Sequence, residues 1–396
     1  MILVALVTIA CLTATLFATV GCANDKGDDT VGDNGDNGDN GANNGGGETE
    51  NGGNDGENTG GGNTENNGGV ATVKPLLGNQ DCGHTLNRYG FCGECQLGIS
   101  RVTVDIGKDI TIEYHIVIND VDLLKGRNLQ VVINDGDHVE ILDDMDTEEH
   151  GFVYRYHGVA PHQMSHRVDA ALIISEGGKL TVIDDLLNYT VKQNLQELIN
   201  AHKDDAEIVQ IISDILRYGA AAQIHQNYET DDLATDGIKG LAPARTEEPE
   251  KSDLTLSKVE GVEGKSYFRG ATVWFGSTTR LKITVKSDDI SKVTMSVNGN
   301  LTIGADKFIA GEDGTYYYYT DDIGMAHFGD VYTFVIYDDS VMVETLTYSV
   351  NSYVYSKITS TSSDEKLVDL VLALYRAGLS AAGWVAGHPA QTSIID

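Results

Sequence analysis

Short stretches of alternating apolar and polar residues run through residues 98–385, and they fall into two sets. Alternation with a period of two, in runs rich in Val, Ile and Tyr, predicts β-strands with one buried face. The first set predicts strands over Arg101–Ile106, Thr111–Ile118, Leu129–Ile133, Phe152–Tyr156 and Val168–Ile174. The second set predicts strands over Ala271–Phe275, Leu281–Lys286, Lys292–Val297, Thr315–Tyr319 and Val331–Tyr337.

After each set of strands the period changes to 3.6, which predicts a pair of helices. The second helix of each pair follows a capping-box sequence, Asp204-x-x-Glu207 in the first set and Ser362-x-x-Glu365 in the second. The apolar stripe of the first of these helices consists of Ile208, Ile211, Ile212, Ile215 and Gly219. Strands followed by helices predict a mainly β, α+β fold, in which each antiparallel β-sandwich is capped by a helix pair.

The two sets are copies of one module. Tyr189-Thr190-Val191 corresponds to Tyr348-Ser349-Val350, and Arg217–Ala222 corresponds to Arg376–Ala381 with no gap between the two matches. A shorter match pairs Met164-Ser165-His166 with Met325-Ala326-His327. Such self-similarity predicts two tandem β-sandwich modules of the same fold. They occupy residues 98–228 and 254–385.

The repeat leads to two further expectations. A gap-free match keeps the apolar phase of the helix, so we expect Gly219 and Gly378 to lie where the helix meets the strands. We also expect the second copy to fold alone as residues 250–396, with all of its core inside the repeat. The remaining segments are a short Cys/His segment, a polar linker and a tail, at residues 75–97, 229–253 and 386–396.

The N-terminal segment predicts export. Residues 2–20 are apolar or small, and they fit the hydrophobic region of a signal peptide better than a spanning helix. The leader, residues 1–22, ends in Thr19-Val20-Gly21-Cys22, which resembles a bacterial lipobox with Cys22 as the lipidated residue. Thr19 departs from that motif, where Leu is usual. The alternative is ordinary signal cleavage with Cys22 incidental.

A polar segment follows the leader. Residues 23–70 are nearly all Gly, Asn, Asp, Glu and Thr, which predicts a disordered tether over residues 23–74. Together with a lipid on Cys22, it predicts a protein anchored to the cell membrane on its extracellular face. The formal net charge of −33 argues against a nucleic-acid partner bound through charge.

Cysteines cluster in one short segment of the body. Cys82, His84, Cys92 and Cys95 form the pattern C-x-H-x7-C-x2-C. Three thiolates and one imidazole complete a tetrahedral zinc site, which would be structural because no position stays open. The alternative is a Cys92–Cys95 disulfide with Cys82 free, which an oxidising exterior favours. The pattern resembles short Cys/His motifs in secreted proteins of anaerobic gut bacteria.

A run of tyrosines is a candidate ligand-binding surface. Alternation puts Tyr316 and Tyr318 on one face of the strand Thr315–Tyr319, and Tyr317 and Tyr319 on the other. One pair should pack in the core, and we select Tyr316 and Tyr318 as the exposed pair for stacking on a sugar or a protein. The alternative is that these rings pack across strands within the sheet.

No catalytic residue is predicted. The chain contains no G-x-S-x-G, P-loop or H-E-x-x-H motif. His157, His162 and His166 cluster near Met164, but the second copy keeps only His327 at a matching position. We interpret these histidines as surface or loop residues.

The helix of the first copy has a recognisable motif. Leu216–Gln223, followed by Asn227-Tyr228 and Leu233-Ala234, resembles a module that recurs in large secreted and surface proteins of gut clostridia. The resemblance covers about residues 98–385 and implies architecture and location, but no established activity. The second copy departs from the motif at Arg376–Ala382. The chain is therefore expected to be a surface lipoprotein whose modules bind a glycan or a protein; the alternative is an extracellular polysaccharide or peptide hydrolase, or its accessory subunit.

Overall fold

A computed structural model describes residues 85, 87–89, 91–92, 96–149, 151–262 and 265–388. These residues belong to one compact unit that spans Val73–Asp396. Within them the chain is mainly β with helices at the end of each copy, and the predicted α+β fold of tandem sandwich-like modules is confirmed. The leader, Cys22, the tether and most of the Cys/His segment lie outside the described residues.

The first copy consists of two four-stranded antiparallel sheets and two helices. Its strands are β1 (Leu97–Ile106), β2 (Ile110–Ile118), β3 (Asn128–Asn134), β4 (Val139–Ile141), β5 (Met145–Glu148), β6 (Gly151–Val159), β7 (Val168–Glu176) and β8 (Lys179–Tyr189). The sheets have the orders β1-β2-β6-β5 and β4-β3-β7-β8. Helices α1 (Val191–Ala201) and α2 (Ala206–Gln226) follow.

The second copy repeats this arrangement with one additional edge strand. Its strands are β9 (Thr255–Lys258), β10 (Tyr267–Phe275), β11 (Thr279–Lys286), β12 (Val293–Val297), β13 (Leu301–Ile303), β14 (Ile309–Ala310), β15 (Thr315–Tyr319), β16 (Tyr332–Asp338) and β17 (Val341–Tyr348). The sheets have the orders β10-β11-β15-β14 and β13-β12-β16-β17-β9. Helices α3 (Val350–Thr359) and α4 (Glu365–Gly387) follow. Each of these sheets takes its strands from one copy.

The structure corrects the repeat register at one place. Each copy has a 3-10 helix before its penultimate strand, at Pro161–Gln163 and at Met325–His327. Met164 and Phe328 occupy the same position just after it. The predicted match of Met164 with Met325 was therefore out of register, and the counterpart of His166 is Asp330. The hairpin of β16 and β17 is shorter than that of β7 and β8. This difference in length cancels the shift, so the helices of the two copies match in the predicted register.

Gly219 and Gly378 contact these 3-10 helices and not the strands, so that expectation was wrong. A Cβ atom at Gly219 would lie 2.5 Å from Sδ of Met164 and 3.1 Å from the carbonyl oxygen of Pro161. At Gly378 it would lie 2.9 Å from Cδ2 of Phe328. Each glycine thus allows the long helix to pack closely on the 3-10 helix of its own copy.

The N-caps of the long helices lie after the predicted ones. The side chain of Asp205 caps α2 by accepting hydrogen bonds from the amides of Glu207 and Ile208. Asp364 is the N-cap of α4, and its side chain makes no capping hydrogen bond. The capping boxes predicted at Asp204 and Ser362 are therefore wrong, because each helix begins too late for them.

The two copies share a packed interface. Helices α2 and α4 lie against each other, and one hydrophobic cluster extends through both copies. Tyr218 of α2 is buried beside Thr279 of the second copy, with which its hydroxyl forms a hydrogen bond. The predicted linker takes part as well, since Arg376 donates a hydrogen bond of 3.2 Å to the carbonyl of Glu247. The core of the second copy is therefore not confined to the repeat, and the stated reason for its independent folding was wrong.

Candidate functional site

The outer face of one sheet in the second copy combines aromatic and basic side chains. In β11 buried residues alternate with half-buried ones, which places Arg280 and Lys282 on the outer face. β11 lies between β10 and β15, so Trp274 of β10 and Tyr317 and Tyr319 of β15 lie beside these two cations. We call these five residues the aromatic face.

The strand register decides which tyrosines face outward. Tyr319 pairs with Lys282, whereas Tyr318 pairs with Ile283, which is fully buried. Tyr318 is only 7% exposed, and Tyr316 lies on the same inward side of β15. The pair selected from the sequence, Tyr316 and Tyr318, is therefore on the core side of the strand. The outward pair is the one in the aromatic face.

The side chains of the aromatic face contact one another. Nζ of Lys282 lies 4.1 Å from the ring centroid of Tyr317 and 5.5 Å from that of Tyr319. The ring of Trp274 meets Tyr319 edge-on, with centroids 6.4 Å apart. The guanidinium of Arg280 lies 5.8 Å from the Trp274 ring. Each cation therefore lies against at least one ring, and cation–π attraction stabilises this arrangement.

Two glycines make room for the rings. A Cβ atom at Gly276 would clash with the ring of Trp274, and one at Gly311 would lie 2.5 Å from Cε2 of Tyr317. Real Cβ atoms do not approach other atoms so closely. The two rings therefore pack against the backbone of a glycine. They lie along the surface and do not project freely into solvent.

The charge of the aromatic face is only partly neutralised. Arg280 pairs with Asp322 at 2.5 Å. Burial acts to raise the pKa of the Asp322 carboxyl, but hydrogen bonds from Arg280 and Thr278 lower it overall. Among the described residues, no carboxylate forms an ion pair with Lys282 or with Lys286, the next basic residue on the same strand face. Within the described residues, this strand therefore has two un-neutralised lysines, although the net charge of the chain is −33.

The corresponding surface of the first copy has different chemistry. Glu113 and Arg155 face each other across two strands, as Lys282 and Tyr319 do in the second copy. In each copy, the next pair of residues along the same strands is buried. Arg155 donates to Glu113 at 2.9 Å and to Asp146 at 2.6 Å, so its charge is neutralised within the sheet. The fold therefore forms with either surface, and the aromatic face is not a requirement of the sandwich.

The three histidines singled out in the sequence do not form one cluster. His157 pairs with Asp144 at 2.5 Å, while His162 and His166 contact the ring of Tyr228, with centroids 4.9 and 6.0 Å away. Burial lowers the pKa of His162, and burial raises the pKa of Tyr228 to about 12. In the described ranges, no group of three or more His, Cys, Asp or Glu side chains is arranged to hold a metal ion.

The motif of α2 has a structural role that sequence reasoning did not assign. Gln223 is fully buried, and its amide nitrogen donates to the carbonyl oxygens of Glu229 and Asp232 at 3.4 and 3.0 Å. Its oxygen accepts from the amide of Ala234 at 2.7 Å. The final residue of the motif thus fixes the loop that returns from α2 to the 3-10 helix.

The predicted zinc ligands Cys82, His84 and Cys95 lie outside the described residues, so the zinc site stays a prediction. Cys92 is fully buried, and its amide donates to the side chain of Gln96 at 2.9 Å. Nearby, the side chain of Asn87 donates to the carbonyl of Ile183 in β8 at 2.9 Å. The described part of the Cys/His segment is therefore attached to the first sandwich.

One helix among the described residues, Glu365–Gly387, is long and apolar enough to cross a membrane. Half of its apolar window is buried inside the protein, as in the core helix of a soluble domain, so it is weak evidence for a membrane span. In sequence comparisons the chain matches no protein-family model and no curated protein. The resemblance to modules of clostridial surface proteins therefore stays a prediction.

Proposed function

We propose that the protein binds a saccharide through the aromatic face of its second copy. The observation that carries this proposal is the outward surface of Trp274, Tyr317 and Tyr319, with Lys282 between the two tyrosines. Aromatic rings offer apolar faces to the C–H groups of a sugar ring, and their contact area is large.

The preferred saccharide is acidic. Lys282 and Lys286 are cations without a carboxylate partner among the described residues, and a carboxylate or sulfate on a sugar would pair with them. An acidic peptide has the same charge, but a saccharide offers in addition the faces of successive C–H-rich sugar rings, which match a row of Tyr and Trp rings. The favoured ligand is therefore a saccharide with uronic acid or sulfate groups.

The remaining parts of the proposal concern location. Lipidation at Cys22 would anchor the chain to the membrane, and residues 23–74 would act as a tether that presents the two sandwiches on the extracellular face. Replacement of Cys22 by Ala should release the protein from the membrane fraction. Metabolic labelling with a fatty-acid analogue should mark the wild-type protein, and an unlabelled wild-type protein would contradict the anchor.

A glycan array tests the binding function. Residues 73–396, which form the compact unit, should bind acidic saccharides, and Lys282→Glu should abolish that binding by charge reversal. Glu113→Lys, a charge reversal on the corresponding sheet of the first copy, is the matched control and should leave binding unchanged. Hydrolysis of the saccharide without stable binding would favour the alternative of an extracellular hydrolase.

A further inference from the structure

The sheet that carries the aromatic face contains basic residues and no acidic ones. Its basic residues, in strands β10 and β11, are Arg269, Arg280, Lys282 and Lys286. None of its four strands contains Asp or Glu, although the chain as a whole has 60 acidic and 27 basic residues. The counterpart sheet of the first copy, β1-β2-β6-β5, has acidic residues at Asp105, Glu113, Asp146 and Glu148. The sheet of the second copy therefore reverses the charge balance of the chain.

The strand register places these four cations in one line along β11. Alternation puts Arg280, Lys282 and Lys286 on the outward face of that strand. Opposite the gap between the two lysines, β10 has a bulge that contains Arg269. Nη1 of Arg269 donates to Oγ1 of Thr315 on β15 at 3.2 Å. Because β11 lies between β10 and β15, this side chain reaches across β11 and brings a fourth charge into the line. We call these four residues the cation row.

The cation row extends along nearly the whole of β11, which begins at Thr279 and ends at Lys286. Each residue of a strand adds about 3.3 Å, so the backbone positions of Arg280 and Lys286 are about 20 Å apart. Successive outward positions on the strand are about 7 Å apart. A row of this length is longer than one sugar ring, and it matches several sugars joined in a chain.

Three cations of the row keep their charge available to a ligand. Within the part of the chain that the structure describes, Arg269, Lys282 and Lys286 form no ion pair with a carboxylate. The hydroxyl of Thr315 accepts a hydrogen bond from Arg269, and the ring of Tyr317 contacts Lys282. Both partners are neutral, so they position the cations without cancelling the charge. An acidic ligand can therefore pair with them.

The first copy has no cation at the matching positions. Its β1-β2 pairing has the same register and the same bulge as the β10-β11 pairing. The residues that match Arg269, Arg280, Lys282 and Lys286 are Ser100, Thr111, Glu113 and Val117. The strands therefore pair in the same way without the cation row, and the row is not a requirement of the fold.

We propose that the saccharide is a linear acidic polymer that lies along β11, with several successive sugars in contact with the cation row. This inference rests on the proposed binding at the aromatic face and extends it from a single sugar to a chain. Tyr317 and Tyr319 stack on sugar rings, while the cations pair with carboxylates or sulfates on those sugars. Because the row reaches both ends of β11, the protein binds the interior of the polymer and not only its terminal sugar.

Isothermal titration of the chain from Ala23 to Asp396 with oligosaccharides of increasing length tests this proposal. The probes are oligogalacturonates, which carry only carboxylates, and heparin oligosaccharides, which also carry sulfates. Cello-oligosaccharides are the neutral control. Affinity for an acidic series should rise with length and level off once the oligosaccharide spans the row. Binding of galacturonates shows that carboxylates suffice, and binding of heparin alone shows that sulfate is needed. Affinity that is independent of length would overturn the proposal, as would equal affinity for an oligodeoxythymidylate with the same number of charges.

The variant Lys286→Gln separates this inference from the proposed function. It removes the cation farthest from Trp274 along the row, so affinity for a long acidic oligosaccharide should fall roughly twofold to fivefold. Affinity for the shortest oligosaccharide that binds should not change. Lys366→Gln removes the same charge at an exposed position of α4, and this control should bind every length like the wild type. Wild-type affinity of Lys286→Gln for long oligosaccharides would refute the extended site alone. Absence of wild-type binding to any acidic saccharide would refute the proposed function and the extended site with it.

Discussion

The hydroxyl of Ser380 in the second copy donates a hydrogen bond of 2.6 Å to the carboxylate of Asp214 in the first copy. The side chain of Asp214 is only 1% exposed, and it also pairs with Arg217 at 3.0 Å and with Arg245 at 3.2 Å. These partners come from α2, from α4 and from the segment between the copies. A single buried carboxylate therefore joins both modules and their connection.

Removal of the Ser380 hydroxyl should destabilise the whole protein. Ser380→Ala leaves the buried Asp214 carboxylate short of a donor, and hydrogen bonds to charged groups contribute about 1.5–3 kcal/mol. The free energy of unfolding, measured by urea denaturation, should fall by about that amount. Ser356→Ala, at an exposed position of α3, is the control and should change it little. Equal stability of the two variants would show that the contact does not join the copies.

Two helix glycines should respond in opposite ways to alanine. Gly219→Ala places Cβ 2.5 Å from Sδ of Met164, so we expect a loss of about 1–3 kcal/mol through overpacking. Gly383 lies in α4 with no atom within 4 Å of its Cβ position. Gly383→Ala should therefore stabilise the protein by about 0.5–1 kcal/mol through helix propensity. Thermal or urea unfolding of both variants checks the contrast, and a loss in both would contradict the close approach at Gly219.

The pairing of His166 should make stability depend on pH. Burial acts to lower the pKa of His166, but hydrogen bonds with Glu229 and the Asp135 carbonyl raise it overall. A raised pKa in the folded state stabilises the protein fully below the unfolded value of about 6.5, and this contribution is lost as the pH rises through the folded pKa. His166→Gln should therefore cost more stability at about pH 5.5 than at about pH 8. The lowered pKa of His162 acts in the opposite direction; burial is its main cause and remains in the variant, whereas the smaller contribution from the charge of His166 is lost.

The Cys/His segment gives a separate prediction. We expect one zinc ion per chain, held by Cys82, His84, Cys92 and Cys95. Elemental analysis of protein purified under reducing conditions should find zinc, and Cys95→Ser should lower its content. Protein without zinc, together with a mapped Cys92–Cys95 disulfide, would decide for the alternative.

Local sequence patterns predicted the fold better than they predicted which residues contact each other. The helix match from Tyr189 to Gly219 preserves both spacing and phase, and the structure keeps it. The match at Met164 was out of register because a three-residue match with two identities carries no phase. The 3-10 helix that defines the position has no sequence periodicity that could correct it. Gly219 was correctly singled out, but the identity of its neighbour depends on the loop that contains Met164.

The outward face of β15 shows a second limit. Tyr316–Tyr319 are identical residues on both faces, so alternation alone cannot say which pair is exposed. The pairing of Tyr318 with buried Ile283 shows which pair faces inward, and this strand register depends on the tertiary structure. The alternation of Lys282 and Ile283 on β11 was the available signal, and it becomes decisive only when the two strands are known to be neighbours.

Isothermal titration with an acidic oligosaccharide chosen from the array tests the central proposal most directly. Tyr319→Ala and Trp274→Ala should each weaken binding by about threefold to tenfold, because each removes a stacking ring. The control Tyr337→Ala removes a half-buried tyrosine from the other sheet of the same copy and should bind like the wild type. Wild-type affinity in both ring variants, or equal losses in all three, would contradict binding at the aromatic face.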